Sequence, residues 1–165
     1  MNKLFRLDGK TVVLTGAAGR LGSRFAHILC ESGANVILVD KDAKKNLKLK
    51  LELSKKYNVI TEVFDIDIIN ESSVEQMVKK IIKKFKKIDI LINNAHFVPR
   101  EHPKRDFPFE KYPLDLWNET INTNLQGLFL CSREIGKVMV KQNHGVIINI
   151  SSIYGIVGAY QRIYG

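Results

Sequence analysis

The chain has 165 residues, with 26 Lys and Arg against 17 Asp and Glu, giving a formal charge of +9. Its 45% hydrophobic content excludes a wholly disordered chain, and no apolar run approaches the roughly 20 residues of a membrane span. The length suits a single domain over residues 1–165, large enough to bury roughly 68–70% of its unfolded surface.

Two cysteines, Cys30 and Cys131, lack metal-ligand spacing and are too few for a disulfide scaffold. The opening Met1-Asn2-Lys3-Leu4-Phe5-Arg6 has no apolar signal stretch, so a cytoplasmic location is expected.

Thr11–Thr15 is a short, largely β-branched run and is predicted as the first strand. A glycine cluster follows, then a helix with Leu21, Phe25, Ile28 and Leu29 at i, i+4, i+7 and i+8. Gly33 is placed to close that helix. Asn35–Val39 is the second strand and ends at Asp40. Residues 43–57 alternate Leu47, Leu49, Leu51 and Leu53 with polar residues, which is strand periodicity. Their Leu, Lys, Glu and Ala content favours helix, and helix is expected. Val59–Phe64 is the third strand.

Val74, Met77, Val78, Ile81, Ile82 and Phe85 form the clearest helical stripe, with Ser72 or Ser73 as its cap. Ile88–Ile92 is the fourth strand. Residues 97–113 hold Pro99, Pro103, Pro108 and Pro113 and read as a long loop. A helix is expected from Leu116 to about Gln142, with Trp117, Ile121, Leu125, Leu128, Ile135 and Met139 inward. Val146–Ile150 is the fifth strand, followed by a Gly/Tyr-rich tail. Alternating helices and near-continuous Val/Ile/Leu strands predict an α/β fold with a parallel sheet covered on both faces.

Residues 41–56 carry seven Lys, and residues 79–87 carry six Lys with no acid. Both stretches lie in expected helices beside apolar residues at core spacing, so solvated helix faces are the favoured reading. Neither nucleic acid nor membrane is expected as a partner, because no basic-aromatic interleaving or nucleic-acid motif accompanies the charge.

Between the first strand and its helix runs Thr15-Gly16-Ala17-Ala18-Gly19-Arg20-Leu21-Gly22. Glycines allow a tight turn, close approach of backbone amides to a pyrophosphate, and close helix–strand packing. The helix N-terminus adds unpaired N–H groups and a positive dipole end. Asp40 ends the next strand, 18 residues beyond Gly22. A carboxylate there accepts hydrogen bonds from ribose hydroxyls and repels a 2′-phosphate. The pattern predicts a dinucleotide site taking NAD in preference to NADP. Arg20 is the competing feature, since a cation in this loop could meet a 2′-phosphate.

With these motifs in order, the sequence resembles the short-chain dehydrogenase/reductase family over nearly its whole length. Gly16, Gly19 and Gly22 resemble the family's cofactor loop, in which Arg20 and Leu21 also lie. Asp67-Ile68 resembles the pair that approaches the adenine. Asn93-Asn94-Ala95-His96 resembles the Asn-Asn-Ala-Gly motif, with His96 in place of glycine, and makes Asn94 and Ala95 cofactor-binding candidates. Asn122-Thr123-Asn124-Leu125-Gln126-Gly127 and Ile148-Asn149-Ile150-Ser151-Ser152 resemble the motifs that carry a catalytic asparagine and a catalytic serine, here Asn124 and Ser152.

The resemblance implies a doubly wound, Rossmann-like sheet with about five strands present and further C-terminal strands missing. It implies hydride transfer between NAD(H) and a small-molecule carbonyl or alcohol substrate, and a homo-oligomer when full length. A non-metal site is expected, because His96 and His102 find no third ligand at suitable spacing.

In the family, a tyrosine with a lysine four residues on moves the proton. Tyr154, Tyr160 and Tyr164 follow Ser152, but none has that lysine within the chain. Residues 1–165 are therefore expected to be part of a longer enzyme and inactive alone. A natural short form that binds NAD without turnover, or uses its lysine faces for nucleic acid or a partner, is the alternative. The aromatics and the cations Arg100, Lys104, Arg105 and Lys111 of the 97–113 loop suggest a polar or anionic substrate, and resemblance to members linked to bacterial surface-sugar or flagellin modification implies a sugar-derived one.

Overall fold

The computed structural model describes residues 3–99, 102–103 and 107–158. Arg100, Lys104, Arg105, Tyr160 and Tyr164, singled out above, lie outside the described residues.

Five parallel strands form one sheet: β1 (Thr11–Thr15), β2 (Asn35–Asp40), β3 (Thr61–Asp65), β4 (Ile90–Asn93) and β5 (Val146–Asn149). Their spatial order is β3-β2-β1-β4-β5. The helices between them are α1 (Arg20–Glu31), α2 (Ala43–Lys56), α3 (Glu71–Phe85), α4 (Leu114–Ile121) and α5 (Leu128–Gln142). This is the doubly wound α/β architecture.

Strand side chains alternate between the two faces, so β1 to β4 feed two cores, whereas all four residues of β5 are exposed and the sheet is not covered on both faces at that edge. Val12, Leu14, Val36, Leu38 and Ile92 pack with Ala26, Cys30, Leu49 and Leu53 from α1 and α2. Val13, Ile37, Val39 and Leu91 pack with Val74, Met77 and Ile81 of α3 and with Leu130, Cys131 and Ile135 of α5. Burying each of the Val, Leu, Ile and Met side chains contributes about 1.5–3 kcal/mol. Both cysteines are free, and burial pushes each thiol up to about 12.

Several expectations are corrected. The helical reading of residues 43–57 holds, and the buried set is Asn46, Leu49 and Leu53, at i, i+3 and i+7, with Leu47 and Leu51 exposed. In α1 the inward residues are Gly22, Ala26 and Cys30. Leu21 and Ile28 are exposed, because the helix lies close to the sheet along its small-residue side. The cap of α3 is Asn70, whose side chain accepts from Ser73 N at 2.9 Å, not Ser72 or Ser73. The third and fourth strands begin two residues later than expected, at Thr61 and Ile90.

The long helix expected from Leu116 to about Gln142 is present as one unbroken helical run, but its geometry changes along the way. A π-helical turn, Asn122–Gly127, joins α4 to α5. Within α4 Leu116 faces inward and Trp117 outward, and the wider turn leaves Leu125 exposed as well. Among the described residues no helix is long and apolar enough to cross a membrane. Lysines of both basic stretches form ion pairs, including Lys45–Asp42, Lys79–Glu75 and Lys87–Asp89.

Candidate functional site

The strand order reverses direction between β1 and β4, whose C-terminal ends diverge into helices on opposite faces. Open α/β sheets form their ligand crevice at such a point. Here a cleft of about 380 Å³ opens above it.

Its floor starts where β1 ends. Gly16 has φ +63°, and a Cβ there would lie 2.7 Å from Ala95 Cα, so glycine is required by both conformation and space. Thr15 Oγ1 accepts hydrogen bonds from Asn94 N at 3.0 Å and Ala95 N at 3.1 Å. Asn94 Nδ2 donates to Thr15 O at 3.0 Å and Gly16 O at 3.1 Å. The glycine turn and the exit of β4 are thus clamped together by four hydrogen bonds.

The head of α1 forms the next wall. Gly22 packs against the turn so closely that a Cβ would sit 2.0 Å from Gly16 O. Gly19 precedes the helix in extended conformation, and no side chain caps the first turn. Uncapped N–H groups and the positive end of the helix dipole therefore face the cleft, where Gly19, Arg20 and Leu21 line it. That is the arrangement an anionic diphosphate requires.

Asp40, at the end of β2, is held by two backbone amides. Its Oδ2 accepts from Ala18 N at 2.9 Å and its Oδ1 from Asp42 N at 3.0 Å. Beside it, Lys45 holds the Asp42 carboxyl below its ordinary range through a 2.7 Å ion pair. The remaining wall carries Asp67 and Ile68; Asp67 Oδ1 accepts from Ile69 N at 3.2 Å and shapes the turn after β3.

The ten cofactor candidates, Gly16, Gly19, Arg20, Leu21, Gly22, Asp40, Asp67, Ile68, Asn94 and Ala95, all line this one cleft. The two catalytic candidates do not. Asn124 lies in the π turn. Its Oδ1 accepts from Phe97 N at 2.6 Å and its Nδ2 donates to Phe97 O at 3.0 Å, so it grips the chain leaving the cleft. Ser152 is exposed and its Oγ accepts from Tyr154 N at 3.2 Å, capping a short 3-10 turn over Ile153–Gly155.

Thr15 opens the motif that resembles the cofactor loop, and the structure adds that its hydroxyl ties the glycine turn to the exit of β4. A buried threonine at a strand end carries no sequence mark that its hydroxyl serves a distant strand. Phe97, Val98 and Thr123 also line the cleft. Elsewhere, Glu71, Glu75 and Glu134 converge, but Arg133 bonds both Glu71 and Glu134, and Lys137 bonds Glu134 at 2.8 Å. The trio is an ion-paired link between α3 and α5.

A profile for short chain dehydrogenases matches residues 10–164. The chain is 30% identical over 153 residues to the 3-oxoacyl-(acyl-carrier-protein) reductase FabG of Thermotoga maritima, covering 93% of this chain and 59% of that protein. NAD+-bound xylitol dehydrogenase superposes with a TM-score of 0.83 at 28% identity, over 92% of this chain and 56% of the other. A metagenomic short-chain oxidoreductase in complex with NADP gives a TM-score of 0.83 at 25% identity, over 94% and 67%. The chain spans about three fifths of the curated relative's length. Its glycine turn, its parallel sheet and the extent of these matches make it a member of the short-chain dehydrogenase family of oxidoreductases.

Proposed function

We propose that this chain is the cofactor-binding part of an enzyme that transfers a hydride between NAD(H) and a carbonyl or alcohol carbon. The observation that carries the reading is the convergence of all ten cofactor candidates on one cleft at the strand-order reversal. The residues present fit a dinucleotide. Added Cβ atoms at Gly16 and Gly22 would strike backbone, the head of α1 is uncapped, and a carboxylate stands at the end of β2.

Bound nicotinamide would supply the hydride or accept it. The first-turn amides of α1 hold the diphosphate by hydrogen bonding and dipole. Asp40 receives the adenosine ribose hydroxyls on its remaining lone pairs. Because Ala18 N and Asp42 N fix that carboxylate, it cannot swing away from a 2′-phosphate, and this favours NAD over NADP. Asp67 and Ile68 flank the adenine.

Ser152 carries a hydroxyl proton that can be donated to a substrate oxygen. Asn124 is a positioning residue: both polar ends of its amide are engaged by Phe97, so it acts by holding residues 94–98 against the cleft. Within residues 1–165 no tyrosine is followed by a lysine four places on, so this stretch alone is expected to bind without turnover. Aromatic Phe107, Phe109 and Tyr112 with Lys111 support a polar, sugar-derived substrate.

Self-association is proposed through α4 and α5. Leu114, Trp117, Leu125, Phe129 and Val140 are all at least half exposed along one helical run. The lysine-rich faces of α2 and α3 are solvated surfaces, and neither nucleic acid nor membrane is assigned to them. The location proposed is cytoplasmic.

Fluorescence titration with NADH and NADPH tests the cofactor reading. NADH is expected to bind more tightly; tighter NADPH binding overturns the preference, and binding of neither overturns the dinucleotide reading.

A further inference from the structure

At His96 the chain carries an imidazole directly after the segment clamped to the glycine turn. His96 is exposed and lines the cleft, and it has no hydrogen-bond or ion-pair partner among the described residues. Its backbone is not among the residues with positive φ, so the side chain stands there without strain. The preceding residue, Ala95, lies against Gly16, while the following one, Phe97, is gripped by Asn124. His96 is therefore held between the turn that receives the diphosphate and the positioning asparagine, with both flanks fixed by hydrogen bonds.

Position is what gives this side chain a role. A free surface histidine loses nothing by pointing into water. One on a clamped segment, lining the same cleft as an uncapped helix N-terminus, is placed to meet an anion that N-terminus attracts. Its ring N–H groups are donors, and a hydrogen bond to a charged oxygen is stronger than one between neutral partners.

Resting on the dinucleotide reading above, we infer that His96 is a cofactor-contacting residue that donates an imidazole N–H to a diphosphate oxygen of the bound dinucleotide, in addition to the amides of α1. The diphosphate would then be held by a side chain as well as by the helix.

Calorimetric titration of the full chain with NADH, ADP-ribose and AMP tests this, using wild type, His96→Ala and His96→Gln. Both NADH and ADP-ribose carry the diphosphate; AMP carries the adenosine end with a single phosphate. His96→Ala is expected to weaken NADH and ADP-ribose by about 5- to 10-fold and AMP by less than about twofold, with His96→Gln retaining part of the affinity. Equal NADH affinity in wild type and His96→Ala overturns the inference and leaves the dinucleotide reading standing. An equal loss for AMP also overturns it, because the side chain would then act through the fold. Absence of NADH binding in the wild type overturns both.

Discussion

Replacing Gly22 by alanine adds one methyl group where α1 meets the glycine turn. The added Cβ would lie 2.0 Å from Gly16 O and 2.9 Å from both Ala17 Cα and Ala17 O. All three are backbone atoms, so no side chain can swing aside. Gly16 O must retreat by about 1 Å before contact becomes tolerable. That oxygen accepts from Asn94 Nδ2 and from Gly19 N, so its movement strains the clamp to β4 as well.

Overpacking of this kind costs about 1–3 kcal/mol, and contact with backbone places Gly22→Ala near the top of that range. Alanine's better helix propensity returns about 0.8–1 kcal/mol. A net loss of about 2 kcal/mol lowers Tm by about 4–8 °C in a chain of this size. NADH affinity is expected to fall by about tenfold or more, since the displaced turn carries the diphosphate amides. Gly19→Ala is the control. Its Cβ would lie 3.2 Å from the same oxygen, and the substitution should cost less than about 1 kcal/mol. Circular-dichroism melts and NADH titrations of the full chain read both effects. A Gly22→Ala melt within about 1 °C of wild type, or an equal loss in Gly19→Ala, refutes the reasoning.

Asp89 is 4% exposed; burial opposes its charge, but Thr11 N–H, Lys87 and Lys10 together hold its carboxyl below the ordinary range. A depressed folded value contributes stability above the unfolded value of about 3.9, and that stability is lost as pH falls through the folded value. Asp89→Asn should therefore cost about 2 kcal/mol in urea melts at neutral pH, and the gap should close below about pH 4; a gap unchanged in acid contradicts the assignment. Asn124→Ala releases Phe97 and, in the longer enzyme proposed above, should lower kcat by about 10- to 100-fold with a smaller change in KM for NADH, measured by steady-state kinetics. Phe129→Glu places a charge on the exposed α4–α5 face and should weaken the proposed self-association, read as a smaller species in light scattering, with the melt little altered.

The glycine turn could be read from sequence because its requirements are local. A β-branched strand, three glycines and an amphipathic helix occupy 20 consecutive positions, Thr11–Cys30, and Asp40 follows after one more short strand. The stripe of α3 was equally clear, since Val74, Met77, Val78 and Ile81 all face one core. The α3 cap was not, because Asn70, Ser72 and Ser73 are all competent; the exit of β3 through Ile69 decides which one meets the free amide. The α4–α5 region was misjudged for a different reason. Apolar periodicity reports that a face is apolar, not that the subunit's own core covers it, and the π turn shifts the phase between Leu116 and Leu128.

By itself, then, the sequence determined the alternation of strands and helices and the parallel sheet, because β-branched runs and apolar periodicity are local, and its motifs singled out residues that line one cleft. Only the tertiary structure decided how those units meet. It showed that Thr15 and Asn94 tie two strands together, that Asn124 holds Phe97 and lies outside the cleft lining, and that His96 lines the cleft with no partner among the described residues. The first two are contacts between residues 79 and 27 positions apart. Hydrogen-bond geometry sets them, and that geometry exists only after the strands have paired.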